Sequence, residues 1–463
     1  VGDLDARAVG APGFPGGQTT VIRTILVTAG FLIGWTFAFQ SALYAACLYL
    51  WIAYFRPEAW AWSGVFASLP LSFVAGVFLL VRSFFSTVRF RLDFRNGLLF
   101  LFLAHSLMST AIAPHVDYSF GYLQEFAKTI VVSYLLSVLI VTEADFRLII
   151  TVIALSLGFE AGKQGWAQLV LNPGAQNNNG VPFLGDNNLV AVGMSMLLPM
   201  VGALGATSTG WRRRAFQFLS IGVIYRAIST YSRGGLLAIG AVGGMFFLRS
   251  PHKIRTIVAF AIAVALIVPV LPQAYWNRMS TITASSEERD DSQAGRLHFW
   301  RVAVSMANDR PLVGVGHRGF EPSYNRYDFL EGVHGTRRAV HSSWFGILAE
   351  VGYPGLLLFI VIFGSSVWAC RKVRRMARGN QVTESLGRYA IGMEAALVAF
   401  AVGGAFVSYH YNEMLWHFFG LSMALEQVAL RQAAERRQAR VQAPPPPRLP
   451  ASKPEPEPEF AWG

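Results

Sequence analysis

The chain has 463 residues, of which 53% are hydrophobic and only 14% charged, against roughly 25% charged in soluble domains. With a mean hydropathy of +0.40, these values exclude a water-soluble enzyme and point to a fold whose main solvent is lipid. The net charge of +12 does not indicate nucleic acid, because Lys and Arg gather in short patches between apolar runs, the pattern of the positive-inside rule.

In chain order, the Gly/Pro-rich start (residues 1–20) reads as a flexible segment without the cationic n-region of a cleavable signal peptide. An N-terminal transmembrane bundle is expected over residues 21–272. Its first apolar run, Val21 to Phe55, is about 35 residues long, too long for one ideal span and short for two. Counted once, it places both termini in the cytoplasm. Further runs follow at 63–81, 97–113, 126–141, 148–169, 189–206, 215–230, 235–248 and 256–271, and three more, at 344–369, 390–408 and 415–430, lie within the C-terminal membrane region, residues 344–430. The length criterion gives about twelve spans, hence an all-α polytopic membrane protein. Cys47 and Cys370 fall inside or at the edge of apolar runs far apart, so neither a disulfide nor a metal site is implied.

Every second connection from Ser63 onward carries a basic patch: Arg82 to Arg95, Arg147, Arg212 to Arg214, Arg249 to Arg255, Arg371 to Arg378 and Arg431 to Arg440. That side is expected to face the cytoplasm. The Pro/Glu-rich residues of 431–463 read as a disordered cytoplasmic tail.

The long outward segment, residues 273–343, is expected to be a periplasmic loop containing amphipathic helices. Its stretch from Gly295 to Asn308 repeats Leu297, Trp300, Val304 and Ala307 at helical spacing. Its basic residues are all Arg, among them Arg278, Arg296, Arg301, Arg318, Arg326, Arg337 and Arg338. Planar guanidinium groups suit bidentate binding of phosphate or carboxylate. Pairing with the loop's own Glu287, Glu288, Asp290, Asp291, Glu321, Asp328 and Glu331 is the alternative.

Three outward sites can carry chemistry. Arg233, in Tyr231-Ser232-Arg233-Gly234-Gly235, sits where one span ends and the next begins, a costly place for a charge; the glycines and the helix N-terminus there suit a phosphate, while snorkelling to headgroups is the bland reading. Arg296, beside Gly295, offers a second cation. His341, before a span containing Glu350 and Gly352, has the ordinary pKa of a general base near neutrality, or is a structural boundary histidine. Within a span, Glu160 and Lys163 share a helix face and should point to the interior or a wet cavity, as a structural pair or a functional one. Asn177 to Asn179 and Asp186-Asn187-Asn188 offer hydrogen bonds to sugar hydroxyls, or helix caps. No Walker loop, metal-binding Cys/His cluster, HExxH or outward DxD-type nucleotide-sugar site is evident, so energy must come from an already activated substrate.

The ordered set Ser232-Arg233-Gly234-Gly235, Gly295-Arg296-Leu297-His298-Phe299-Trp300, Arg310-Pro311-Leu312-Val313-Gly314-Val315-Gly316, then His341-Ser342 and Glu350-Val351-Gly352 resembles the O-antigen ligase and polymerase superfamily. Upstream, Leu155 to Phe159 with Lys163, Asp186 to Asn188, and Arg278 to Ile282 look like the O-glycosylation ligases associated with exosortase systems. The departure is Glu160 and Gln164 beside Lys163. The resemblance implies a metal-independent, inverting GT-C-type transferase of the bacterial inner membrane, with its site on the periplasmic face. It requires no cofactor, and its donor is a glycan linked to undecaprenyl pyrophosphate. Arg233 and Arg296 would bind the pyrophosphate, and His341 would activate or orient the acceptor hydroxyl. Lys163, Asn187, Arg301, Arg318, Arg337, Arg338 and Glu350 are further substrate-binding candidates. The acceptor is a lipid A core, a growing glycan or a protein hydroxyl; the bilayer and other polysaccharide-assembly proteins are the expected partners. A transporter or flippase of a lipid-linked or anionic substrate is the competing class, and it would show internal repeats with broken helices at mid-membrane.

Overall fold

A computed structural model of the chain describes residues 17–61, 69–88, 90–280 and 291–442. The start of the N-terminal segment, Arg89, Glu287, Glu288 and Asp290, part of the expected span 63–81, and the Pro/Glu-rich end of the tail lie outside the described residues. Among those described the fold is all-helical: α1 (Gly17–Ala38), α2 (Ala42–Phe55), α3 (Pro57–Ala61), α4 (Leu71–Phe84), α5 (Phe94–Ala111), α6 (Val116–Leu139), α7 (Glu143–Leu171), α8 (Asn187–Ala206), α9 (Gly210–Ile228), α10 (Arg233–Arg249) and α11 (Lys253–Ile267). After these come α12 (Gln273–Ser280), α13 (Asp291–Asp309), α14 (Phe320–Tyr327), α15 (Ser343–Arg378), α16 (Glu384–Gly403) and α17 (Glu413–Gln442). Helices long and apolar enough to cross a membrane occur at Val21–Ala38, Asn187–Ala206, Ser343–Arg378 and Glu384–Gly403, with Ala42–Phe55 and Leu71–Phe84 apolar but shorter. Large apolar side chains such as Leu32, Phe84, Ile254 and Phe260 point outward, an arrangement that lipid tolerates and water penalises.

The basic patches meet at one end of the bundle. Glu394, only 1% exposed, receives Arg249 at 2.6 Å, Arg371 at 3.0 Å and Arg374 at 3.3 Å. Glu426 receives Arg95 at 2.8 Å and Lys372 at 2.7 Å. Each carboxylate balances cations drawn from two different elements, so the charges that mark one side in sequence also lock helix ends together there. The long connections gather at the opposite end, where Ser343 N–H donates to Gly404 and Asn177 N–H to Ser229.

The first apolar run is two helices, α1 and the shorter α2, and of the two only Val21–Ala38 is long and apolar enough to cross a membrane. The turn at 39–41 lies at the basic end, where Arg82 donates to the carbonyl of Gln40 at 2.9 Å, and Ser41 caps α2 by accepting from Tyr44 N–H at 3.2 Å. At the loop end, Arg23 in α1 reaches the carbonyl of Trp60 at 3.4 Å. The N-terminal side of α1 is therefore at the end opposite the basic patches, which removes the condition under which both termini shared a side.

The expected span from Trp344 is broken. Within α15, Gly352 has φ 69° and ψ −173°, followed by Pro354, so the carbonyls of Ala349, Glu350 and Val351 lose their helical donors. Other elements supply them: Val315 N–H and Gly316 N–H donate to Ala349 and Glu350, each at 2.9 Å, while Ser109 Oγ and His105 Nε2 reach Glu350 and Val351, both at 2.8 Å. In return Tyr353 N–H donates to Pro311 at 2.9 Å. The motif Arg310 to Gly316 is thus a latch on a broken helix, and it fixes where Glu350 points.

α13 exists as expected, and its buried face overlaps the expected one: Trp300 packs against the loop core and Ala307 is fully buried. Phe299, Val302, Ala303 and Met306 are buried with Val315, Phe320, Tyr324 and Ala349, whereas Leu297 is exposed. The helix packs on the first part of α15 and on the 315–324 segment, so that core selects its buried face.

Candidate functional site

At the loop end, Ser232 caps α10 by accepting from Gly235 N–H at 3.3 Å and donates to Asn188 Oδ1 at 2.8 Å. This ties the first turn of α10 to that of α8, whose own cap, Asp186, accepts from Asn188 N–H at 2.7 Å. Arg233 is buried in that first turn. The two glycines after it are close-packed: a Cβ on Gly235 would fall 2.4 Å from Ala191, and one on Gly234 would fall 3.1 Å from Phe406. They let α10 pack against protein.

Phe406, which packs beside Gly234, has its ring 6.3 Å from that of Trp300, one helical turn after Arg296. His341 stands in the same neighbourhood. Burial is the main influence that lowers its pKa, and the nearby Arg296 and Arg338 add to it while Asp186 opposes. Its backbone is left-handed, φ 49°, an unfavourable conformation for a non-glycine residue that the surrounding contacts hold in place. Arg296, Arg338 and Asp186 are thus the charges felt at His341, and the turn that holds Arg233 is tied to the Asp186 cap through Ser232 and Asn188.

The remaining candidates are dispersed. Arg318 lies over the Tyr122 ring at 4.7 Å. Arg337 and Arg301 are exposed, and Arg301, five residues beyond Arg296, is on another face of α13. Among the described residues none of Arg310, Arg318, Arg326 and Arg338 has a carboxylate in salt-bridge range; Arg310 and Arg338 bond the carbonyls of Ile112 and His334, and Arg326 lies over Tyr327. Asn187 bonds Asn178 at 2.6 Å. Lys163 pairs with Glu160 at 2.6 Å, with 46% of the lysine side chain and 17% of the glutamate side chain exposed, so the pair is only partly enclosed by the bundle. Glu160 also accepts from Gln164, and Gln164 accepts from the fully buried Arg226 at 2.9 Å. The pair belongs to a network that holds the 179–180 loop through Gln164 and Arg226.

Sequence reasoning missed His410, Tyr411 and His317. His410 Nε2 lies 3.2 Å from Glu350 Oε2, with both side chains almost fully buried. The ring of His317 lies 3.8 Å from that of Tyr411; burial first, then Arg318 and His410, keep His317 well below the ordinary imidazole range. The available signal was the polar run Tyr409 to Asn412 between two apolar segments. His298, inside the matched motif, bonds Asp328 at 2.7 Å, and Asp328 accepts from the N–H groups of Leu330 and Gly332 at 3.1 and 2.8 Å. It is a clamp on the loop. Among the described residues no cluster of three His, Cys, Asp or Glu side chains is placed to hold a metal ion.

Residues 218–360 match the family model described as O-antigen ligase, and that region belongs to the O-antigen ligase and polymerase superfamily. It contains Arg233, Arg296, His341, Glu350 and both partners of the latch. Residues 22–197 match a family of unknown function (DUF5935). No curated protein matches the chain.

Proposed function

We propose that the protein is an inner-membrane glycosyltransferase that moves an oligo- or polysaccharide from undecaprenyl pyrophosphate to an acceptor hydroxyl on the periplasmic side. The observation that carries this reading is that Arg233, Arg296 and His341 all fall inside the segment that matches the O-antigen ligase family, with the charge of Arg296 felt at a half-buried His341. The basic end of the bundle is cytoplasmic under the positive-inside rule, which puts the loop end in the periplasm.

The chemistry needs a charge stabiliser and a base. As the bond between the anomeric carbon and the pyrophosphate oxygen breaks, negative charge grows on the leaving group, and preorganised guanidinium groups of Arg233 and Arg296 stabilise it. These two cations take the place that a divalent metal has in other transferases. His341, held neutral by burial and by neighbouring cations, accepts the proton of the acceptor hydroxyl as that oxygen attacks from the opposite face, inverting the configuration.

The test is purified protein in nanodiscs with a defined undecaprenyl-pyrophosphate glycan, candidate acceptors and a chelator. Product formation by wild type and its loss in folded His341→Ala support the reading. Translocation of the donor without transfer sinks it.

A pH dependence follows. A base whose pKa lies below the ordinary value of about 6.5 stays active through neutrality and loses rate only on further acidification. Arg338 is one of the cations lowering it, so in Arg338→Gln the acid limb of the kcat/KM profile should move up towards 6.5. An unchanged limb would show that another group titrates.

A further inference from the structure

α1 packs on α2 and α3, closely enough that a Cβ on Gly34 would fall 2.7 Å from Leu48, and α2 in turn packs on α7. Between this hairpin and the α7–α9 pair lies an apolar groove of about 1050 Å³, lined among others by Leu26, Ile33, Leu48, Thr151, Leu155 and Leu219. Its two ends differ. At the basic end Phe37 and Tyr44 flank the turn at 39–41, and Arg147, Trp211 and Arg212 come from the starts of α7 and α9. At the other end three rings close it: Trp60 lies 5.5 Å from Phe55 and 6.3 Å from Phe159, which are themselves 6.0 Å apart. On α7 the lining runs from Arg147 to Phe159, about 18 Å of helix at roughly 1.5 Å per residue, while the helix itself continues to Leu171. Half of a hydrocarbon core about 30 Å thick is about 15 Å. The groove therefore has the depth of one leaflet and is shut near mid-membrane.

The charge at its mouth identifies the occupant. Arg95, Arg249, Arg371, Lys372 and Arg374 converge on Glu394 and Glu426. Among the described residues Arg147 and Arg212 have no carboxylate in salt-bridge range: Arg147 donates to Ser208 Oγ at 2.9 Å, and Arg212 lies over the ring of Trp211 at 5.9 Å. The acidic residues near Arg147 in sequence are already engaged, Asp145 with the N–H groups of Thr142 and Val141 at 2.8 and 3.1 Å and Glu143 with Thr383 at 2.7 Å. α9 also begins here, and its cap residue Thr209 makes no side-chain bond to the first turn, so the positive end of that helix adds to the two guanidinium groups. An apolar slot one leaflet deep, with cations at its mouth that no carboxylate neutralises, fits acyl chains below an anionic headgroup. We propose that this groove seats one anionic diacyl phospholipid from the leaflet on the basic side, its phosphate at Arg147 and Arg212 and its chains against α1, α2 and α7. The lipid completes the packing of the N-terminal hairpin. A polyisoprenyl chain entering from the loop end meets Phe55, Trp60 and Phe159 first. The inference is independent of the glycan-transfer reading.

The experiment titrates the full chain in detergent with dioleoylphosphatidylglycerol, dioleoylphosphatidylcholine or undecaprenyl pyrophosphate; native mass spectrometry counts bound lipid, and the melting temperature reports folding. Wild type is expected to hold one phosphatidylglycerol, to melt higher with it, and to bind phosphatidylcholine about tenfold or more weakly. Arg147→Gln combined with Arg212→Gln should lose about tenfold or more in affinity for phosphatidylglycerol and little for phosphatidylcholine. Thr151→Trp, which fills the slot midway, should lose both lipids. Arg436→Gln, whose arginine bonds the carbonyl of Asn380 at the end of α17 and does not line the groove, should bind as wild type. Phosphatidylglycerol carrying a photoreactive diazirine at the end of one acyl chain should label peptides that contain Phe55 or Phe159. Equal binding of the two phospholipids, an equal loss in Arg436→Gln, or preferential labelling of those peptides by a diazirine-bearing undecaprenyl pyrophosphate overturns the proposal. So does a second copy of the chain, or another membrane protein, cross-linked there in place of lipid. Should Thr151→Trp fail to fold, the arginine variant and the labelling decide.

Discussion

Arg296→Ala and Arg233→Ala are each expected to lower the transfer rate by about 10²–10³-fold, the usual loss when one preorganised stabiliser of developing charge is removed. The effect should fall mainly on kcat, because charge on the pyrophosphate increases as the glycosidic bond breaks. Two guanidinium groups serving one leaving group act as a unit, so the double variant should lose less than the product of the single losses. Lysine keeps the charge but not the fork of donors, and Arg296→Lys is expected to restore only part of the rate. Arg301→Ala supplies the control: that side chain is exposed and on another face of α13, so its loss should change the rate only a few-fold. Arg233 is buried, and its variant needs a thermal melt in detergent to separate lost chemistry from lost packing. Single-turnover rates with a defined lipid-linked donor read the chemical step directly. Wild-type rates in folded Arg296→Ala would remove that arginine from the site.

How much of this was legible depended on whether the signal was local. The all-helical membrane class followed from run length and composition, and the parity of the basic patches followed from their positions, because both are properties of short stretches. The partners of those patches were not legible: Glu394 joins Arg249 to Arg371 and Arg374 across long separations. The turn at 39–41 was hidden inside a continuous apolar run, since one of its supports, Arg82, comes from a different helix. The face of α13 was legible in part: Trp300 and Ala307 lie on its packed side, but Leu297 is exposed, because the core of Phe299, Val302 and Met306 forms around Val315 and Tyr324. Arg296 and His341 were picked from chemistry and resemblance; the pKa of His341 is lowered by burial first and then by the charge of Arg296. Lys163 was picked for its rarity in a span, and it forms an ion pair with Glu160 that is partly exposed. His410 was passed over because nothing in Tyr409 to Asn412 indicates that Glu350, sixty residues earlier, is its partner.

The latch between the loop and the broken helix should be the most sensitive structural feature of the site. Gly314 and Gly352 both have left-handed backbones, φ 65° and 69°, and each faces the backbone of the other's segment. A Cβ on Gly314 would fall 2.4 Å from the carbonyl oxygen of Ala349, and one on Gly352 would fall 2.5 Å from that of Pro311. Backbone cannot swing aside as a side-chain tip can, so alanine at either position combines the left-handed penalty of about 1–2 kcal/mol with a displacement of the bonds that cap Ala349 and Glu350. A total of about 3 kcal/mol or more is expected, at the high end of single substitutions. Because Glu350 and the hydrogen bonds of its carbonyl sit at this junction, transfer should fall in Gly314→Ala and Gly352→Ala although neither residue touches substrate. Gly364→Ala, in the continuous part of the same helix with nothing within 4 Å of the added carbon, should leave both melting temperature and rate near wild type. Equal melting curves for all three variants would show that the broken helix does not depend on the paired glycines, and the assignment of Arg310 to Gly316 as a latch would fall with it.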